Sequence, residues 1–166
     1  MMMRTFILLI ISFLSCSVIA DQCNYNFAES DLVNSIGLKP TSKKTTKENS
    51  IIKRQYEFRK TLTGEAAFNE DAEKNYYPQF YLALYNPPCP DRITIWFHED
   101  NANTQKLSNK VLAGRAFHYL TGVEEAIFEN KLSRFSEVQH FESFDDRADS
   151  MFMKIGDIYS VDVYLK

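Results

Sequence analysis

Residues 76–98 read YYPQFYLALYNPPCPDRITIWFH, and this stretch decides the fold. Phe80, Leu82 and Leu84 fall on one parity, while Tyr81, Ala83 and Tyr85 fall on the other. A period of two is the signature of a β-strand. Pro78 belongs at the start of that strand or on a sheet edge. Pro87, Pro88 and Pro90 then remove three backbone donors in a row of six residues, so regular structure stops there. Ile93, Ile95 and Phe97 next alternate with Thr94, Trp96 and His98. Two strands about a proline-rich connection read as a wide hairpin.

Upstream of the hairpin, residues 51–62 also alternate. Ile52, Tyr56, Phe58 and Leu62 share one parity, and Lys53, Gln55, Glu57 and Arg59 share the other. This predicts a half-buried strand. Residues 39–50 (KPTSKKTTKENS) hold no large apolar residue and read as a polar, basic, mobile loop. Residues 27–36 predict a short helix, with Phe27, Leu32 and Ile36 inward and Gly37 as the stop. Residues 64–75 are mixed and polar, a short helix or a long connection.

Downstream, a helix is expected from Asn103 or Thr104 to Leu120, with Leu107, Val111, Leu112 and Phe117 on its inner side. Thr121 and Glu124 have the spacing of a capping box, which would open a second helix over residues 123–135. Residues 138–144 suggest a strand, and 151–166 one or two strands about Gly156-Asp157. The expected class is therefore α+β. An antiparallel sheet of about four to six strands carries a helical pair on one face, with a short N-terminal helix beside it.

Composition agrees with a folded chain: 45% of the 166 residues are hydrophobic and 14% aromatic, which excludes a disordered polymer. Residues 1–20 have the layout of a cleaved secretory signal. Arg4 is followed by the apolar run FILLIISFL, and the small residue Ala20 precedes Asp21. Residues 21–166 then form a single domain of ordinary size. A lipoprotein anchored through Cys16 is the competing reading, but Phe13 stands where such sites usually place Leu. The apolar run is too short for a spanning helix.

Export sets the cysteine chemistry. Cys23 and Cys89 are left as an isolated pair, and in an oxidising compartment they read as one disulfide. It would staple the N-terminal helix to the proline-rich loop. No Asn-x-Ser/Thr site occurs, which favours the bacterial periplasm over another extracellular location.

The chain's net charge of −3 hides a split. Between Lys39 and Lys60 eight basic residues face only Glu48 and Glu57, whereas residues 142–149 (ESFDDRAD) hold four acids and one Arg. A net acidic chain argues against general nucleic-acid binding. The split instead suits steering of a charged partner.

No GxSxG, GxGxxG, P-loop or HExxH pattern is present. The stretch Trp96-Phe97-His98-Glu99-Asp100 brings metal-ligand types together, but neighbours on a strand point to opposite faces. We therefore expect no metal, no cofactor and no catalytic residue. The tyrosines carry more information, because a rigid amphipathic ring favours partner surfaces. Tyr77, Tyr81 and Tyr85, with Trp96 and His98 on the next strand, form one candidate partner-binding set. Lys43, Lys44 and Lys47 form its basic flank.

The expected function is a small exported protein-binding module, of the inhibitor or immunity type, that blocks a toxin or cell-wall hydrolase. Two alternatives make distinct structural demands. A small apolar-ligand carrier needs a curved sheet around a closed pocket. A hydrolase needs two carboxylates facing one cleft.

Overall fold

A computed structural model describes residues 23, 27–58, 80–99, 108–134, 140–144 and 146–166. The signal segment, Cys16, Tyr77, Pro78, residues 64–75 and the expected helix start near Asn103 lie outside these residues. Among the described residues no helix is long and apolar enough to cross a membrane.

The fold is α+β. Helix α1 is Glu29–Ser35. Strands β1 (Ser42–Glu48), β2 (Ile51–Phe58), β3 (Phe80–Tyr85) and β4 (Arg92–His98) follow. Helices α2 (Asn109–Thr121) and α3 (Glu125–Ser133) come next. Strands β5 (His140–Phe144), β6 (Ala148–Ile155) and β7 (Ile158–Leu165) complete the chain. The seven strands form one sheet in the order β1-β2-β3-β4-β7-β6-β5, with every pair antiparallel. Two meanders thus meet at β4 and β7, and the helical pair carries the chain from one to the far edge of the other.

The period-two pattern places the core. Phe80, Leu82 and Leu84 of β3, and Ile93, Ile95 and Phe97 of β4, are all fully buried beneath α2. Val161 and Val163 of β7 extend the same layer, and Leu112, Ala116 and Phe117 close it from the helix side. Burying a phenylalanine contributes about 2–3 kcal/mol, so Phe80, Phe97 and Phe117 are among the larger contributors to this layer.

Three expectations need correcting. The segment expected as a mobile polar loop over 39–50 contains strand β1, the edge strand of the sheet. Every residue of β1 is exposed, so it lacks the apolar alternation by which a strand is recognised. Its order comes from the backbone ladder to β2 and from a two-residue turn. Asn49 (φ 48°) and Ser50 (φ 71°) are both left-handed, as the twist of a tight hairpin requires.

The capping box at Thr121 does not form. Thr121 is the last residue of α2, and its hydroxyl donates back to the Phe117 carbonyl at 2.8 Å. Gly122 (φ 74°) ends the helix in the left-handed conformation, and Glu124 precedes α3 without a side-chain cap. Finally, α2 begins at Asn109, because Ser108 is extended and accepts from the Val111 amide at 3.2 Å.

Cys23 and Cys89 are disulfide-bonded, with Cα atoms 5.2 Å apart. Helix α1 spans only seven residues and has no side-chain N-cap, so it would be marginal alone. It is held by buried Leu32 and Ile36, by the Tyr119 hydroxyl donating to the Ala28 carbonyl (3.2 Å), and by the nearby staple.

Candidate functional site

The helices described here pack on one side of the sheet, and the strands' other parity faces away from them. Register aligns that second face into three rows across the strands. The first row runs Lys53, Tyr85, Arg92, Tyr164, Asp149. The second runs Gln55, Ala83, Thr94, Asp162, Met151. The third runs Glu57, Tyr81, Trp96, Ser160, Met153.

The middle row is short where the outer rows are bulky, so a trough forms over β2, β3 and β4. Ala83, Thr94 and Gln55 make its floor. Tyr85 and Lys53 stand on one wall, Tyr81 and Trp96 on the other. Its volume is about 390 Å³, and it opens to solvent. Successive same-face residues lie about 7 Å apart along a strand. The two walls are therefore about 13 Å apart at their Cα atoms, enough for one extended chain.

The wall chemistry is specific. Arg92 Cζ lies 3.8 Å from the centroid of the Tyr85 ring, and Lys53 Nζ lies 5.9 Å from it. One ring thus carries two cations. Opposite, Trp96 stands edge-on to Tyr81 (centroids 4.7 Å apart) and to His98 (5.1 Å). At the β7 end Thr94 donates its hydroxyl to Asp162. Among the described residues, neither Lys53 nor Arg92 has a carboxylate within ion-pair distance.

Of the partner-binding residues expected from sequence, Tyr81, Tyr85, Trp96 and His98 share this face. Lys44 is on it too, out at the β1 edge, opposite Gln55. Lys43 and Lys47 are not. They pair with Tyr56 and Ile52, residues of the opposite parity, so one strand sends its lysines to both sides of the sheet. Lys43 is spent on Glu29 (3.6 Å) and over the Tyr56 ring. Sequence reasoning missed Lys53, Gln55 and Arg92, although each shares the parity of the residues it selected. Register between strands, which no single strand encodes, is what lines them up.

Two acidic residues, Glu29 and Glu99, are engaged in anchoring. Glu29 receives Arg54 Nη1 at 2.5 Å and the Tyr56 hydroxyl, which ties α1 to the sheet. Glu99 receives Lys154 at 3.0 Å, Tyr159 at 3.2 Å and Lys110 at 3.3 Å, which ties β4, β6, β7 and the start of α2 together. The Lys154 hydrogen bond holds the Glu99 carboxyl below its ordinary range, the reverse of what a general acid needs. His98 and Glu99 diverge: His98 Nδ1 sits 3.4 Å from Asp157, away from the Glu99 cluster. Among the described residues no three His, Cys, Asp or Glu side chains converge as a metal site.

A second groove, about 470 Å³, lies where the helices end, with Arg115, His118 and Arg147 beside the single carboxylate Glu125. Neither groove presents a pair of carboxylates. What the trough can do is bind, using Lys53 on an aromatic wall, Arg92 at the rim of that wall, and hydrogen-bonding groups on its floor. No protein-family model, no curated protein and no solved structure matches this chain.

Proposed function

We propose that this chain is a small exported protein-binding module, and that it works in the periplasm as an inhibitor or immunity-type protein. Its partner is another exported protein, a toxin or cell-wall hydrolase, which it blocks by covering an acidic surface. The observation that carries this reading is the trough itself: aromatic walls and cations that have no carboxylate partner among the described residues, on the sheet face that no described helix covers. Aromatic side chains and Arg are the residue types that dominate binding energy at protein interfaces. The disulfide fits an oxidising compartment. An open, partly polar trough favours surface recognition over the closed pocket that an apolar-ligand carrier would need.

Capture from a periplasmic extract tests the proposal. Wild-type protein should retain an exported hydrolase or toxin at low salt, and adding the protein should lower that partner's activity. A Tyr81→Ala, Trp96→Ala double variant should lose both effects. Ile127→Ala, on an exposed position of α3 away from this face, should keep them. Capture that is indifferent to Tyr81 and Trp96 would remove the sheet face from the reading.

A further inference from the structure

We infer that the trough reads one kind of polypeptide: an extended segment of the partner in which acidic and apolar residues alternate. This rests on the protein-binding reading above and names the chemistry of its contact.

The two walls of the trough differ in chemistry. An extended chain lying in the trough sends successive side chains to opposite walls. One wall offers Lys53 and Tyr85, with Arg92 next in the same row at its rim, and the other offers Tyr81 and Trp96. Side chains of one parity therefore meet cations, and those of the other parity meet rings. Lys53 and Arg92 are two strands apart, about 10 Å at the backbone, while carboxylates two residues apart on an extended chain are separated by about 7 Å. The flexible stem of Lys53 can close that gap.

The Tyr85 ring selects a carboxylate over a sugar. Arg92 covers one face of the ring, its central carbon 3.8 Å from the centroid, so that face is unavailable for stacking a pyranose. A guanidinium stacked in this way still presents its N–H edge, the geometry that takes a carboxylate in two parallel hydrogen bonds. Across the trough, Trp96 is flanked edge-on by Tyr81 and His98, at interplanar angles of 64° and 82°. Standing rings make slots for branched apolar side chains rather than a flat platform. Asp162 at the β7 end of the floor, already bound to Thr94, repels an acidic chain end and so sets the segment's direction.

Trp96 is the only tryptophan in the chain, so its emission reports on the trough directly. The probe is a blocked hexapeptide alternating Glu and Leu. It should shift Trp96 emission saturably, and the shift should vanish in high salt. The same peptide with Lys in place of Glu, and the block sequence with three Glu before three Leu, should leave the emission unchanged. Replacing both cations (Lys53→Gln with Arg92→Gln) should weaken binding by roughly tenfold or more. Arg92→Lys, which keeps the charge but loses the planar fork, should fall between that variant and wild type. Far-UV dichroism confirms that each variant is folded.

An unchanged emission with the Glu-Leu peptide, or an equal response to the Lys-Leu peptide, overturns the inference. So does a response to oligogalacturonate alone, which would make the trough an acidic-glycan site. If the extract capture still depends on Tyr81 and Trp96 in those cases, the protein-binding reading stands and only the segment chemistry fails. If capture is indifferent to the face, the broader reading fails with it.

Discussion

Arg147 lies across Gly122, and its Nη2 donates to the Thr121 carbonyl at 2.7 Å, closing the end of α2. Arg115 does the same for α1, with Nη1 3.1 Å from the Ile36 carbonyl and beside left-handed Gly37. Cations here also complement the negative end of each helix. A Cβ at Gly122 would collide with the Arg147 guanidinium, whereas one at Gly156 would meet nothing, although both residues are left-handed. The two glycines therefore separate backbone strain from loss of a contact. Gly156→Ala should cost about 1–2 kcal/mol from the conformation alone. Gly122→Ala should cost about 3–4 kcal/mol, because it also displaces a charged hydrogen bond. Urea melts of both variants check this. Equal costs would mean that Arg147 contributes nothing to the end of α2.

What the sequence disclosed, and what it hid, follows from where burial contrast exists. Strands β4 and β7 alternate between a buried face and a partly exposed one, and β3 does so except at small, buried Ala83, so their parity is visible. Strand β1 has no such contrast, and its Thr45 and Thr46 are too weak a signal against four charged residues. The site was legible in the same measure. Tyr81, Tyr85 and Trp96 announce themselves as rings on an outward parity. The trough exists only because Lys53 falls opposite Tyr85 and Tyr85 opposite Arg92, and that depends on long-range register.

Stability should fall at both ends of the pH scale, for different groups. At the acid end the group is Glu99, whose carboxyl is held low by the Lys154 hydrogen bond, against the opposing effect of burial. A carboxyl with a depressed pKa in the folded state stabilises it above the ordinary value of 4.5, and that contribution is lost as the pH falls below it. At the alkaline end burial, and then hydrogen bonding to Glu29, push the Tyr56 phenol above 10.0. A raised pKa stabilises the folded state below 10.0 and is lost as the pH rises past it. Lys43 and Lys154, raised by their hydrogen bonds to Tyr56 and Glu99, act with the same sign. Melting temperatures from pH 3 to 11 should show Glu99→Gln flattening the acid limb and, through the lost Lys154 hydrogen bond, part of the alkaline one. Tyr56→Phe should soften only the alkaline one. Glu99→Gln should also cost about 1 kcal/mol at neutral pH.

The disulfide closes a loop between residues 66 apart in sequence. In the chain-entropy model a loop of that length contributes about 4 kcal/mol. A Cys23→Ser, Cys89→Ser variant should therefore melt about 10 °C lower. The loss should begin at α1, since that helix has the fewest contacts of its own. Thiol labelling of the unreduced, denatured chain should find neither Cys23 nor Cys89 reactive. Stoichiometric labelling of both would contradict the staple.

The two faces of the sheet should respond very differently to truncation, and this is the sharpest check on where the core ends. Phe117 of α2 packs 4.8 Å from Phe128 of α3 and 5.5 Å from Phe152 of β6, all three fully buried. Phe117→Ala should cost about 3–5 kcal/mol. With Phe152→Ala it should show a coupling of about 1 kcal/mol in a double-mutant cycle. Trp96 is larger than any of these residues, yet it sits half-exposed on the other face among Tyr81 and His98. Trp96→Ala should cost only about 1 kcal/mol, because its ring is already partly in water. If it costs as much as Phe117→Ala, the far side of the sheet is a second core under a further layer of chain. Tyr81, Tyr85 and Trp96 would then be packing residues, with no partner to meet.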